Sequence, residues 1–180
     1  EDQELVMIDQ KVEINKTDEE GNPVKGAKLS IKDTNGNTVD FWMSDETAHS
    51  VSGLKVNETY TIHEEESEEL SGYYLSEDTT FTVKDDQKDM KIDFVDHSII
   101  VKIEKVDEEG KYVSGAKLTL KDVTCDMTVP LENDGITSEK PFVLKRVLHA
   151  GHTYELTEED VSAGYHPAKS VTFRVPLISS

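Results

Sequence analysis

The chain has one cysteine, one tryptophan and five prolines among its 180 residues, and its Lys and Arg are half as numerous as its Asp and Glu, 19 against 38. Cys125 alone cannot form an internal disulfide, and one thiol supplies a single ligand where a structural metal site needs several. The net charge of −19 excludes nucleic acid and anionic membrane as natural partners, since both would be repelled. No apolar run approaches the roughly 20 residues of a membrane-crossing helix. The chain does not open on a signal peptide, so export or anchoring signals are expected outside it. No Ser-His or Cys-His arrangement suggests a hydrolase. His149-Ala150-Gly151-His152, with His166, has the residue type of a metal site but the pattern of a turn before a strand, so no metal or cofactor is expected.

What the sequence does contain is short β-prone runs separated by turn residues. Alternation along Val12-Glu13-Ile14-Asn15-Lys16 puts Val12, Ile14 and Lys16 on one face. A lysine on an apolar face is costly unless it is paired, neutral or chemically consumed. Asp18 to Pro23 is a turn, and Ala27, Leu29 and Ile31 alternate inward along the next strand. Asn35-Gly36 marks a hairpin into Val39 to Met43, because both residues accept the positive φ of a tight turn. The same parity puts Tyr60, Ile62 and Glu64 on one face, and Ile92, Phe94 and Asp96 on another. Three apolar strand faces therefore each end in an ionisable group: Lys16, Glu64 and Asp96.

The chain then repeats. Lys16 to Asp33 aligns without a gap on Lys105 to Asp122, with 12 of 18 positions identical. Tyr154 to Glu158 answers Tyr60 to Glu64, and Ala163-Gly164-Tyr165 answers Ser71-Gly72-Tyr73. Two copies of one all-β unit are expected, residues 11–97 and 98–180. The second copy has Lys105 and Glu158 at the equivalent positions but no strand corresponding to the one that ends at Asp96. Residues 1–10, with Leu5, Met7 and Asp9 on one face, have the pattern of that missing strand, and are expected to be the last strand of a preceding repeat.

These motifs resemble the Cna-B or SpaA-like prealbumin-type domains of Gram-positive surface adhesins and pilins. The features are a strand closing on Lys-x-Asp-x-x-Gly, then Gly-Ala-x-Leu, Tyr-x-x-x-Glu, Gly-Tyr, and a last strand carrying an acceptor. The resemblance implies tandem Ig-like or prealbumin-like β-sandwiches, all-β, in an extracellular, cell-wall-attached protein. It further implies an autocatalytic isopeptide bond between Lys16 and Asp96, with Glu64 as proton shuttle, and no enzymatic turnover. Asp at the acceptor position, together with Phe41 to Asp45, resembles the Lys-Asp subgroup of streptococcal fibronectin-binding proteins.

Lys105 and Glu158 would form the equivalent, incomplete site. The expected partners are neighbouring repeats and, by strand exchange through residues 4–9, a second copy that could offer Asp9 to Lys105. The short acidic loops favour a stalk or spacer; a host-ligand-binding adhesin module and a sortase-polymerised pilin subunit are the alternatives.

Overall fold

Alternating apolar and polar residues build nearly all of the regular structure. In the computed structural model, which describes residues 2–5, 10–86, 88–161 and 163–179, this comprises thirteen β-strands and a single 3-10 turn. The chain divides into two compact units. One takes in the chain up to Leu70, Leu75–His97 and the stretch beginning at Ile178; the other consists of Ser71–Tyr74 and Ser98–Leu177.

The first unit contains β1 (Val12–Asp18), β2 (Lys28–Lys32), β3 (Thr38–Met43), β4 (His49–Val51), β5 (Thr59–Glu65), β6 (Thr79–Thr82) and β7 (Met90–Asp96). They form a three-stranded sheet, ordered β4-β1-β7, and a four-stranded sheet, ordered β3-β2-β5-β6. Val12, Ile14 and Phe94 from the first sheet, and Leu29, Ile31, Tyr60 and Ile62 from the second, are all buried. Each such side chain contributes about 1.5–3 kcal/mol through the apolar area it removes from water. β1 and β4 are antiparallel, whereas β1 and β7 run parallel over seven residue pairs, from Val12 opposite Met90 to Asp18 opposite Asp96.

Local chemistry fixes the turns. Asp33 closes the β2–β3 hairpin by accepting the amides of Asn35 and Asn37, both at 2.9 Å, and Gly36 takes the positive φ of 82° that the turn requires. These hydrogen bonds, that from the Asn37 amide foremost, hold the Asp33 carboxyl below its usual range. Asp18 accepts the amides of Glu20 and Asn22 at 2.9 Å, and Asp107 repeats the device with Glu109 and Lys111 at the same distance.

The second unit contains β8 (Ile100–Ile103), β9 (Lys117–Asp122), β10 (Met127–Val129), β11 (Phe142–Lys145), β12 (Thr153–Asp160) and β13 (Val171–Arg174). A four-stranded sheet, β10-β9-β12-β13, mirrors that of the first unit. Its core joins Ile103, Leu118, Leu120, Phe142, Leu144 and Tyr154. The Tyr motif has a structural cause in both copies: Tyr60 accepts the amide of Lys55 at 2.9 Å, and Tyr154 accepts that of His149 at 2.7 Å. The copies differ beside their first strand. β8 pairs only with β11 among the described residues, with no counterpart of β7, and it stops at Ile103, short of Lys105.

At the N-terminus residues 2–5 form no strand, and Leu5 is 94% exposed. Residues 6–9, including Asp9, lie outside the described residues. Ser71–Tyr74, which the sequence repeat assigns to the first copy, belongs to the second unit: Gly72 donates its amide to Leu148 O at 3.0 Å and accepts from Ile99 N at 2.8 Å.

Candidate functional site

Three strand ends of the first unit bring Lys16, Glu64 and Asp96 together in its interior, where they are 3%, 4% and 1% exposed. The placement follows from parity, since Lys16 continues the buried row Val12–Ile14 of β1, Glu64 the row Tyr60–Ile62 of β5, and Asp96 follows buried Phe94 on β7. Lys16 Nζ is in direct contact with Asp96 Oδ1 and lies 3.3 Å from Glu64 Oε2. It also sits over the Phe94 ring, 4.3 Å from its centroid. The apolar wall matters because a charge taken from water is stabilised only by such partners.

The carboxyls are unevenly satisfied. Glu64 Oε2 accepts the Ser76 amide at 2.9 Å, while Glu64 Oε1 and Asp96 Oδ2 are buried without a hydrogen bond. Burial drives the Glu64 pKa up to about 8. The neighbouring Asp96 carboxyl adds to the rise, while the Lys16 ammonium and the Ser76 amide oppose it. The rise favours the protonated form of Glu64, the state needed to donate a hydrogen bond or a proton. The trio can support attack of an amine on a carboxyl carbon, with an acid beside both.

Ser76, in the loop between β5 and β6, is a member of this cluster that strand parity does not point to. Its Oγ lies 3.2 Å from Lys16 Nζ, 2.7 Å from Asp96 Oδ1 and 2.5 Å from Val95 O. No periodicity marks a loop serine, and the only sequence cue is its position a few residues after Gly72-Tyr73.

In the second unit Lys105 and Glu158 are only half-buried. Glu158 Oε2 accepts the amide of Ala168 at 2.6 Å, and the Lys105 amine has no partner among the described residues. The histidines read from sequence as a turn do not all come together. His149 and His152 stack with ring centroids 4.2 Å apart, and His166 is exposed. Asp122, Cys125 and His152 approach closely enough to offer a cation one oxygen, one sulfur and one nitrogen. The Asp122 carboxylate already accepts the amides of Thr124 and Cys125 and lies 2.7 Å from His152 Nδ1, which closes the turn after β9.

Two units, each of two sheets with the same order in the four-stranded one, define a pair of prealbumin-like β-sandwiches. The chain belongs to the SpaA prealbumin-like fold domain family, whose model matches it twice, over residues 10–98 and 100–177. Among solved structures it is similar to the Bacillus anthracis TIE protein, with 18% identity, a TM-score of 0.48, and coverage of 95% of this chain and 32% of that one. It is also similar to a streptococcal ancillary pilin, with 20% identity, a TM-score of 0.46, and coverage of 92% and 58%. For the shaft pilin SpaA of Lactobacillus rhamnosus GG the identity is 14%, the TM-score 0.41 and the coverage 93% of each chain. The chain therefore spans less than two thirds of the first two. No curated protein matches it in sequence.

Proposed function

We propose that this chain is a stalk or spacer segment of a Gram-positive surface adhesin or pilin, and that its first unit locks itself with an intramolecular isopeptide bond between Lys16 and Asp96. The observation that carries this reading is the contact of Lys16 Nζ with the Asp96 carboxyl, with buried Glu64 3.3 Å from the same nitrogen. A proton passed from Lys16 by way of Glu64 to Asp96 turns the ion pair into a neutral amine and a carboxylic acid. The amine nitrogen then adds to Cγ of Asp96. Glu64 relays the protons, taking one from nitrogen on one oxygen as it gives its own from the other to the departing Asp96 oxygen. The N–Cγ bond forms, a C–O bond breaks, and one water leaves. Fixed orientation supplies much of the rate. The event occurs once per molecule, so the chain is not an enzyme.

The bond would join the first and last strands of the unit, so that tension entering at β1 leaves through β7 without unfolding what lies between. Its partners are then neighbouring repeats, and the edge of β8 opposite β11 is where a strand from a second copy would add. Intact mass tests the central reading: the wild type should be lighter than its sequence by one water, and Lys16→Ala and Asp96→Ala should each retain full mass. A wild type of full mass overturns it.

A ligand-binding adhesin module is the alternative with an observation in its favour. On edge strand β3, Val39, Phe41 and Met43 face outward, and Phe41 is 79% exposed. Contiguous exposed apolar surface is what docking sites are built on.

A further inference from the structure

Resting on the isopeptide reading, we propose that Ser76 is a catalytic residue of the cross-linking reaction, its hydroxyl donating to Asp96 Oδ1 as negative charge builds there. The Ser76 hydroxyl has one proton and two acceptors in reach, Val95 O at 2.5 Å and Asp96 Oδ1 at 2.7 Å. When Lys16 Nζ adds to Cγ, the electron pair of the C=O bond moves to Oδ1. A donor aimed at that oxygen strengthens as the charge grows, and in a water-excluded site it is worth far more than in solvent. Oδ2, buried without a hydrogen bond, is the oxygen free to be protonated and to leave as water. As the intermediate collapses, the electron pair returns from Oδ1 to re-form the carbonyl of the new amide. The Ser76 proton stays on Ser76 throughout, so the overall balance remains amine plus acid giving amide plus water.

The second unit separates the two contributions of this residue. Ser76 N–H donates to Glu64 Oε2 at 2.9 Å, and Ala168 N–H donates to Glu158 Oε2 at 2.6 Å. The backbone contact that orients the glutamate is therefore present in both copies, with serine in one and alanine in the other. The fold accepts alanine at this position, and the hydroxyl is not what holds the glutamate.

The experiment is a pulse of in vitro translation of the full chain, quenched with acid at intervals and read by intact mass. Ser76→Ala should lose water about 10²–10³-fold more slowly than wild type, the usual cost of removing one oxyanion donor. Ser76→Thr, which restores a hydroxyl, should return to within about tenfold of wild type, since only packing then differs. The pH dependence of the residual Ser76→Ala rate should keep the wild-type midpoint, because the amide contact to Glu64 remains. If Ser76→Ala proves unfolded by circular dichroism, Ser76→Cys serves instead as a near-isosteric weak donor, and should also be slow. Water loss at the wild-type rate in Ser76→Ala or Ser76→Cys, or a Thr variant as slow as Ala, overturns the proposal while leaving the Lys16–Asp96 bond standing. A wild type that never loses water removes the reaction itself.

Discussion

Replacing Glu64 by Gln would separate the cross-link from the packing around it. Gln keeps the shape of Glu64 and an oxygen to accept the Ser76 amide and the Lys16 amine, which lie 2.9 Å and 3.3 Å from Oε2, but it cannot relay a proton. The variant should therefore fold with Lys16 and Asp96 in contact and no water lost. The lysine and aspartate are 80 residues apart in sequence. By the loop-entropy relation used for disulfides, closing such a loop removes about 4.5 kcal/mol of freedom from the unfolded chain. A domain of 60–100 residues shifts its melting temperature by about 4–8 °C per kcal/mol, so Glu64→Gln should melt about 18–36 °C below the bonded wild type. Scanning calorimetry reads this directly, with the second unit as internal reference, since its transition should not move. Two results would refute the reasoning. One is loss of water by Glu64→Gln, which would mean that no relay is needed; the other is an unbonded variant that melts within about 5 °C of wild type, against the chain-entropy argument.

Two further outcomes are expected. In the chain before the bond forms, Glu64 has its pKa raised from 4.5 to about 8, so its protonation favours the folded state. That stabilisation is complete below about pH 4.5 and is lost as pH rises through about 8. The rate of water loss in the timed mass assay should fall over the same upper limb, and a rate still rising well above pH 8 would contradict the assigned role. Gly72→Ala should destabilise the second unit, although the residue lies in the first sequence repeat. Gly72 has a φ of 93°, and an added Cβ would sit 2.6 Å from the Arg146 carbonyl oxygen. A loss of about 2–3 kcal/mol is expected, the range for a strained backbone position with a steric clash, and an unchanged second-unit transition would argue against that packing.

The residues that could be located from sequence are those on strands. Period-two alternation is a local property, so the inward row Val12, Ile14, Lys16 and its counterparts at Glu64 and Asp96 can be seen without knowing which strands pair. The hairpin at Asn35-Gly36 is legible for a similar reason, because turn chemistry lies within four residues. Ser76 is not legible, since its place is set by a loop folding back over β7 and not by any repeat in its own neighbourhood. Nor is the contrast between Lys16 and Lys105. The two lie in closely matching sequence, yet one is buried and the other half-buried, because β1 runs on through Lys16 between two neighbours, whereas β8, with one neighbour among the described residues, ends before Lys105. The assignment of Ser71–Tyr74 to the second unit depends likewise on amide contacts to Leu148 and Ile99, far away in sequence.

The parallel register of β1 on β7 sets how the first unit yields when stretched. A chain pulled at Val12 and at Asp96 draws these two strands past one another along their length, because parallel neighbours present opposite ends to the two directions of pull. The ladder is then loaded in shear. Seven residue pairs resist at once, whereas an antiparallel hairpin pulled from its open end unzips one pair at a time. The hydrogen-bonded sheet is therefore an independent source of resistance, in place as soon as the strands have paired.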